Sequence, residues 1–516
     1  MSVDKASLTT ARMSAMQALL PVFALISGLQ LASAFSLHHG TLSLCQAKTS
    51  HSSLNLYSLP PPFQSTISMQ EDASAALSEL LNAWNAPQPK QQAMAFLFVG
   101  QKHANSFQSI VAEASRKLGP QTKLLALISG GVVGASKEVD DASVPSMSLW
   151  GGILPDNSQI DLFGVSNNDD IFDDNLVLES SPDKKSWLSS DSRPPSYVLF
   201  ADPFSTRISK VLKVLDGQKG VVAGGISVPE TMVQPSVAIQ DKVLPPGSLV
   251  GARLMGNVGL QVIVAQGCRP LGRTFTVTSV QANAVAELDY KPAIQQLEKA
   301  VEEASKEDQE LVRNFGVLGG IHRDDSPEDH TEVQDFLIRQ VFGFRPQSGS
   351  ILVGGHIHEG DSFRFHVRSA ESALEDLALM IQRAKTERLF LGPQNTGKTL
   401  AALQISCVAR GKHLFKHPNV DLHHVESLFE DQLDSDAVND ATKSSIPPIG
   451  GFFANGEIGP VGICMGADRE NKSKSHLLGF TTVIALLCDF TSRNEELHEE
   501  AAALGAGVST IEGAWG

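Results

Sequence analysis

Short, wholly apolar segments that stop at glycine constrain this chain more than any other feature. Residues 93–99 (AMAFLFV) run into Gly100, residues 124–128 into Ser129-Gly130-Gly131, and Val221-Val222-Ala223 into Gly224-Gly225. A strand with one face in water alternates apolar and polar side chains. These segments do not alternate, so each is read as a strand buried on both faces. A helical pattern over 106–118, closed by Gly119-Pro120, separates the first two runs. Another, over 208–215, precedes residues 221–225 and follows a strand at 197–200. Strand–helix–strand order of this kind demands sheets covered by helices.

The remaining punctuation completes an α+β reading. Residues 71–84 read as a helix with acids at its start, which suits the helix dipole. Residues 248–255, 261–265 and 275–280 read as strands, and 293–303 as a charged helix. Two hairpins are expected: 351–355 with 363–367 around Glu359-Gly360-Asp361, and 451–454 with 458–461 around Asn455-Gly456. Residues 370–385 read as a helix, and 403–407 and 481–487 as core strands. The acidic stretches 156–193 and 413–442 read as a surface insertion and a loop. The expected fold is therefore two sheet-and-helix domains, with strands largely antiparallel in the second half.

Charge and cysteine usage exclude several functions. The formal net charge of −16 repels phosphate backbones, so nucleic acid is not expected as a partner. Five cysteines without a Cys-x-x-Cys pair suggest neither a zinc site nor a disulfide framework.

Residues 1–70 read as an address. They hold one acidic side chain, Asp4. A weakly basic start precedes an apolar stretch over 15–31, and Ala32-Ser33-Ala34 offers the small residues a signal peptidase needs. Residues 35–70, rich in Ser, Thr, His and Pro, have transit-peptide composition. Signal peptide 1–34 followed by Phe35 resembles the bipartite plastid presequence of algae with secondary plastids. The expectation is the plastid stroma by the secretory route, with secretion as the alternative. No membrane span is expected in the mature form.

Several segments, taken together, resemble the paired N- and C-terminal FIST domains. They are ISGGVVGASKEVDD (128–141), FADPFS (200–205), GGIS (224–227), QGCRPLG (266–272), ELDYKPA (287–293), SCVARG (406–411), GFFANGEIGPVG (451–462) and LLGFT (477–481). The implied division is an N-terminal domain over 71–270, a C-terminal domain over 271–490 and an acidic tail over 491–516. The resemblance implies a sensory module for a small ligand, an amino acid or a derivative, or a protein-docking scaffold as in F-box relatives. It implies no cofactor.

Candidate ligand contacts follow at the sheet ends. Gly224 and Gly225 close a strand. Cys268 and Arg269, in Gly-Cys-Arg-Pro, place a thiol and a guanidinium in a turn, and Arg269 can grip a carboxylate bidentately. Cys407 and Arg410 make a similar pair. Asn455, Gly456 and Glu457 read first as a turn, with Glu457 as the carboxylate for a ligand ammonium. The two expected to face one pocket are Arg269 and Glu457. Gly392–Thr399 (GPQNTGKT) satisfies the phosphate-loop pattern with Lys398, an NTPase alternative that requires a helix after Thr399. His356 and His358 alternate on an expected strand, but a metal needs three or four convergent ligands, so no metal site is assigned. No catalytic residue is assigned, since no nucleophile–base arrangement stands out.

Overall fold

The computed structural model describes residues 62–167, 193–322, 336–430, 446–465 and 474–491. The apolar runs become the centres of three mixed sheets. The first has the order β1 (Phe63–Ser68), β6 (Met147–Ile153), β2 (Ala93–Gly100), β3 (Thr122–Ser129), β10 (Val237–Ile239), β11 (Lys242–Val243). The second has β25 (His476–Leu478), β23 (Glu457–Gly459), β9 (Val221–Ile226), β8 (Ser196–Ala201), β12 (Leu249–Gly256), β7 (Ser158–Val165). The third has β24 (Ile463–Cys464), β13 (Val258–Ala265), β26 (Thr482–Asp489), β21 (Lys398–Cys407), β22 (Ile449–Ala454), β4 (Gly131–Gly134), β5 (Lys137–Val139).

Each sheet is built on one parallel pair with a helical crossover. β2 and β3 are joined through α2 (Phe107–Leu118), and β8 and β9 through α3 (Ile208–Gly217). β21, which follows the short helix α7 (Pro393–Thr396), and β22 are joined through α8 (Gly411–Phe415) and α9 (Val420–Glu430). The strand after each pair then leaves for another sheet. β4 follows β3 but pairs with β22; β23 follows β22 but pairs with β9; β10 follows β9 but pairs with β3. The exchange is cyclic, so each sheet depends on chain lent by another.

Strand alternation explains why the runs are apolar throughout. On β2, Met94, Phe96 and Phe98 face the common centre of the three sheets, whereas Ala95, Leu97 and Val99 face α2 and α1 (Ala73–Asn82). On β8, Val198 and Phe200 face the centre, and Tyr197, Leu199 and Ala201 face α3. On β26, Val483, Ala485 and Leu487 face the centre, and Ile484, Leu486 and Cys488 face α9 and α6 (Ala370–Leu391). At the centre Phe98, Phe200 and Phe452, one from each sheet, meet with ring centroids 4.9 to 5.9 Å apart.

Between β13 and α6 the chain makes a fourth sheet within the same compact unit. β14 (Cys268–Gln281), β20 (Ser362–Arg368), β17 (Leu318–His322), β18 (Leu337–Arg345), β19 (Ser350–Val353) and β15 (Ala284–Leu288) pair in that order, with β16 (Lys291–Pro292) at the edge. β14 pairs with β20 through its first half and with β15 through its second, which closes the ring into an antiparallel barrel. α4 (Ala293–Glu302) and α5 (Lys306–Phe315) pack on it.

The α+β class and the helix-covered sheets stand as expected. The cut at 270/271 does not, because it falls inside β14 and parts β13 from its partner β26. Neither expected hairpin forms. β22 and β23 belong to different sheets, so Asn455-Gly456 is a crossing between sheets. β19 and β20 are likewise not paired with each other. Residues 158–165 form β7 inside the expected insertion, and 420–430 form α9 inside the expected loop. The apolar side chains of α9 at helical spacing, Leu422, Val425, Leu428 and Phe429, were masked by its acids. Residues 63–68, assigned to the presequence, are β1, and Phe63 is fully buried. Residues 1–61, which carry the rest of that reading, lie outside the described residues.

Because Phe452 touches rings from both other sheets, Phe452→Ala should cost about 3–5 kcal/mol in urea unfolding. The interlock further requires that loss to appear in one transition shared by both halves. Two transitions, with only one displaced, would contradict the cyclic exchange.

Candidate functional site

The carboxyl ends of a parallel pair are where an open α/β sheet exposes backbone groups to a ligand. In the third sheet these ends are Cys407 and Ala454, which pair with each other. The chain continues from Ala454 into the second sheet, where Glu457 pairs with Gly225 and Leu478, and Ile458 with Gly224. A Cβ on Gly225 would stand 2.8 Å from Ile405 and 3.0 Å from Ala454, so glycine is what lets the two sheets touch. The backbone of the crossing is spent on this join: Asn455 N–H donates to the Ile226 carbonyl, and the Gly456 carbonyl accepts from Ile226 N–H.

The crossing delivers the Glu457 carboxyl into a fully buried position. Its Oε2 accepts from Thr481 N–H (3.2 Å) and from the Thr481 hydroxyl (2.7 Å). Its Oε1 has no hydrogen-bond partner. Burial pushes this carboxyl up to about 8, against the opposing pull of the Thr481 bonds, of the Arg410 charge and of the nearby Cys407 thiol, which stands outside hydrogen-bond geometry. At neutral pH it is therefore mostly a neutral acid.

Arg410 follows β21 and is 1% exposed. Its Nε and Nη2 each donate at 2.8 Å to the two oxygens of Asp421, in the first turn of α9. Nη1 has no partner. Gly267 makes room for it, since a Cβ there would lie 3.0 Å from Nη1. Asp421 also accepts from the Ser406 hydroxyl at 3.1 Å. Next to it, Glu138 of β5 accepts at Oε1 from Gln404 Nε2 (2.7 Å) and from Leu422 N–H (3.1 Å). Burial, then the charge of Asp421, push Glu138 up to about 7.

The barrel supplies the facing wall. Cys268 lies opposite Arg368 across the β14–β20 pair, and both thiols of the cluster, Cys268 and Cys407, feel the Arg368 charge. Arg368 Nη2 donates to the Ala409 carbonyl, while its Nε has no partner. Two residues earlier on the same strand face, His366 is fully buried with Nδ1 against the Arg364 carbonyl and Nε2 unpartnered. Burial pulls this imidazole down to about 4, so it stays neutral. Cys268, Leu318, Phe336, Ile338 and Phe480 fill the space between barrel and sheets.

The FIST N domain matches residues 93–291 and the FIST C domain matches residues 293–460. The chain belongs to the FIST family. Its relatives include the uncharacterized protein Rv0628c of Mycobacterium tuberculosis, 27% identical over 407 residues, covering 77% of this chain and 91% of that protein. The uncharacterized protein Mb0898c of Mycobacterium bovis is 28% identical over 422 residues, covering 81% and 95%. FIST domains are sensory and signal-transduction modules associated with small ligands. The cluster draws on both: Glu138 and Cys268 come from the FIST N match, and Arg368, Cys407, Arg410, Asp421 and Glu457 from the FIST C match.

Of the residues expected at a site, Gly224, Gly225, Cys268, Cys407, Arg410, Asn455, Gly456 and Glu457 fall in or beside this FIST cluster. Arg269 does not. It sits in a strand rather than a turn, and alternation turns it to the face that α5 covers. There it donates to Asp308 and Glu307, at 2.9 Å each. Its carboxylates belong to its own chain, and Arg410 and Arg368 take its expected place. The thiols do not gain acidity from these cations: burial pushes Cys268 up to about 12 and Cys407 upward as well. Sequence reasoning missed Arg368, His366, Thr481, Asp421 and Glu138. A signal for the first two existed, because Arg364, His366 and Arg368 alternate with the apolar Phe363, Phe365 and Val367.

The other motifs have structural explanations. Lys398 and Thr399 begin β21, so no helix follows the GPQNTGKT segment and a phosphate loop cannot form there. Among the described residues no group of three His, Cys, Asp or Glu side chains is placed to hold a metal. No described helix is long and apolar enough to cross a membrane. A cavity of about 520 Å³ lies away from the cluster, between α6 and β24, lined by Met380, Arg383, Phe390 and Ile463 among others.

The raised Glu457 pKa gives a signed stability prediction. Between about pH 4.5 and 8 the unfolded chain loses this proton and the folded chain keeps it, so stability falls as pH rises through that window. Glu457→Gln removes the proton from both states. Its unfolding free energy should gain on the wild type steadily from pH 5 to 8 and run parallel to it above. A constant difference across pH 5–8, measured by denaturant titration, would show that the carboxyl is not held as a neutral acid.

Proposed function

We propose that this chain is a sensor that binds a small zwitterion, an amino acid or close derivative, in the polar seam between the barrel and the ends of β21 and β22. One observation carries the reading. Glu457 is fully buried with Oε1 unpartnered, in the same cluster as the unpartnered Arg410 Nη1 and Arg368 Nε. Several side chains elsewhere in the chain also bury an unpartnered polar atom; what sets this cluster apart is that a carboxyl and two guanidiniums do so together, and a bound polar molecule or ordered water is one explanation for such atoms. The chemistry is that of a zwitterion. Glu457, on giving up its proton, receives an ammonium, while the two guanidiniums offer N–H groups to a carboxylate. Family membership supports a sensory role.

Thermal shift against a panel of amino acids and plastid metabolites tests this on the chain from residue 62 onward. A stabilising hit should vanish in Glu457→Gln and survive in Arg269→Ala, because Arg269 is already paired on α5. A hit that survives Glu457→Gln places the ligand elsewhere. No hit at all, with a protein recovered on the purified chain, favours the docking role of F-box relatives.

We further propose delivery to the plastid stroma by the secretory route. The supporting features are the apolar stretch before Ala32-Ser33-Ala34, the acid-free composition of residues 35–61 and Phe35 at the junction. Residues 1–61 fused to a fluorescent protein should label the stroma of a secondary-plastid alga. Phe35→Ala should strand the fusion outside it; unchanged stromal label in the variant would sink the bipartite reading.

A further inference from the structure

Within the cluster, Arg410 belongs to two groups at once. On one side the backbone ties it to the support of Glu457: Arg410 N–H donates to the Cys407 carbonyl at 2.8 Å, and Cys407 N–H to the carbonyl of Thr481 at 3.0 Å, the residue that bonds the Glu457 carboxyl. Across this link its charge favours the ionised forms of Glu457 and of the Cys407 thiol. On the other it is locked by two bonds of 2.8 Å to Asp421. Asp421 opens α9, and its neighbour Leu422 donates N–H to Glu138 of β5 at 3.1 Å. The residue before the helix, Asn419, accepts from Glu138 N–H at 2.7 Å. The start of α9 is thus held by Arg410 from inside and by Glu138 from outside, and by Glu138 through both its backbone and its side chain. Glu457 has no bond to α9 in this set. Arg410 is the group common to both.

We propose that Arg410 couples the buried Glu457 carboxyl to α9, so that charge or a ligand at Glu457 is read out as a change in how firmly the first turn of α9 is held. The proposal rests on the sensor reading for its physiological input, but the coupling is testable without a ligand. The physical step is competition for one guanidinium. With Glu457 neutral, Arg410 is committed to Asp421. A negative charge at Glu457, or a bound carboxylate drawing on Nη1, shares the cation and weakens its hold on Asp421. A fully buried pair is sensitive to such sharing, because no water compensates for what is lost. The crossover helix that joins β21 to β22 is also well placed as an output. It packs on α6 through Val425, Leu428 and Phe429, and α6 is capped by Ser369, directly after Arg368 of the barrel wall.

Protonation of Glu457 serves as the switch in the test. The charged or titratable groups around it are Arg410 and Cys407, with Arg368 and Cys268 beyond them. Those around the start of α9 are Asp421, Glu138, Asp140 and Lys412, with His423 and His424 on the helix itself. Hydrogen exchange is followed by mass spectrometry in peptides covering 420–430 of the chain from residue 62 onward, between pH 6.5 and 9. Rates are corrected for the intrinsic pH dependence of exchange. The profile is repeated in a His423→Gln, His424→Gln background to remove the helix's own imidazoles.

In the wild type, α9 should exchange faster at the alkaline end, on the order of fivefold or more. Glu457→Gln, which leaves every bond to α9 intact, should abolish that acceleration, and Glu138→Gln should retain it. Superimposable wild-type and Glu457→Gln profiles overturn the coupling. Thr481→Val gives an independent check, since it removes a hydroxyl bond that favours the ionised carboxyl. Its midpoint should move to higher pH, and an unmoved midpoint also overturns the proposal. Loss of an amino-acid thermal shift in Glu457→Gln with α9 exchange unchanged would retain the sensor and remove the relay. Persistent pH coupling with no hit in the panel would retain the relay and remove the ligand class.

Discussion

Three phenylalanine rings, Phe98, Phe200 and Phe452, meet where three sheets meet, and the rest of the structure follows from keeping them dry. Each ring sits on a strand of a parallel pair. Each pair needs a crossover helix on its outer face, because the outer side chains are apolar as well. With a helix outside and the aromatic centre inside, a sheet has both faces covered. Its open edge beside the second strand of the pair is then filled by chain lent from another sheet. Covering the edges by cyclic exchange makes the FIST N and FIST C matches two descriptions of one interlocked body, with the barrel as a fourth sheet.

The exchange also decides where polar groups end up. A chain that crosses between sheets carries its side chains through a region where neither sheet face is exposed. Ala454 closes β22 with a methyl group, and three residues later Glu457 is fully enclosed. A carboxyl there can exist only with partners or with its proton. Thr481 satisfies one oxygen, and burial keeps the proton on at neutral pH. Arg410 faces the opposite problem, since a guanidinium cannot discard its charge. It therefore takes a carboxylate, Asp421, into the interior with it. The two solutions side by side, one neutral acid and one ion pair, make a cluster whose charge can be redistributed.

Much of the scaffold was legible in the sequence, and the reason is alternation. AMAFLFVG can be apolar at every position only if both faces are buried, which already implies helices on one side and a second layer on the other. What could not be read is partner choice. Asn455-Gly456 between two apolar runs has the local chemistry of a hairpin, yet the strands it joins find better-matched edges in different sheets. Arg269 failed for a related reason. Gly-Cys-Arg-Pro reads as a turn because of its glycine and proline, but Cys268–Gln281 is one long barrel strand, and a one-residue step along a strand reverses the side. Arg410 and Glu457, the residues that do share a cluster, come from segments whose meeting depends on the exchange of strands, and no local pattern encodes that.

Under the proposed sensor reading, charge accounting narrows what the seam would accept. At neutral pH the cluster holds Arg410 paired with Asp421, Arg368 beside it, and Glu457 with its proton. A purely anionic ligand would satisfy the two guanidiniums but leave the Glu457 Oε1 against a second anion, reinforcing its protonation and wasting its position. A purely cationic ligand would ionise Glu457 but set its charge against two guanidiniums in a dry environment, where like charges are costly. A zwitterion ionises Glu457 with its ammonium and covers the guanidinium N–H groups with its carboxylate. Its own net charge is zero, so the only charge added to the interior is the one that Glu457 gains when its proton leaves. Binding of that kind would release a proton below about pH 8, and on the proposed relay this would link occupancy of the seam to the charge state at Arg410.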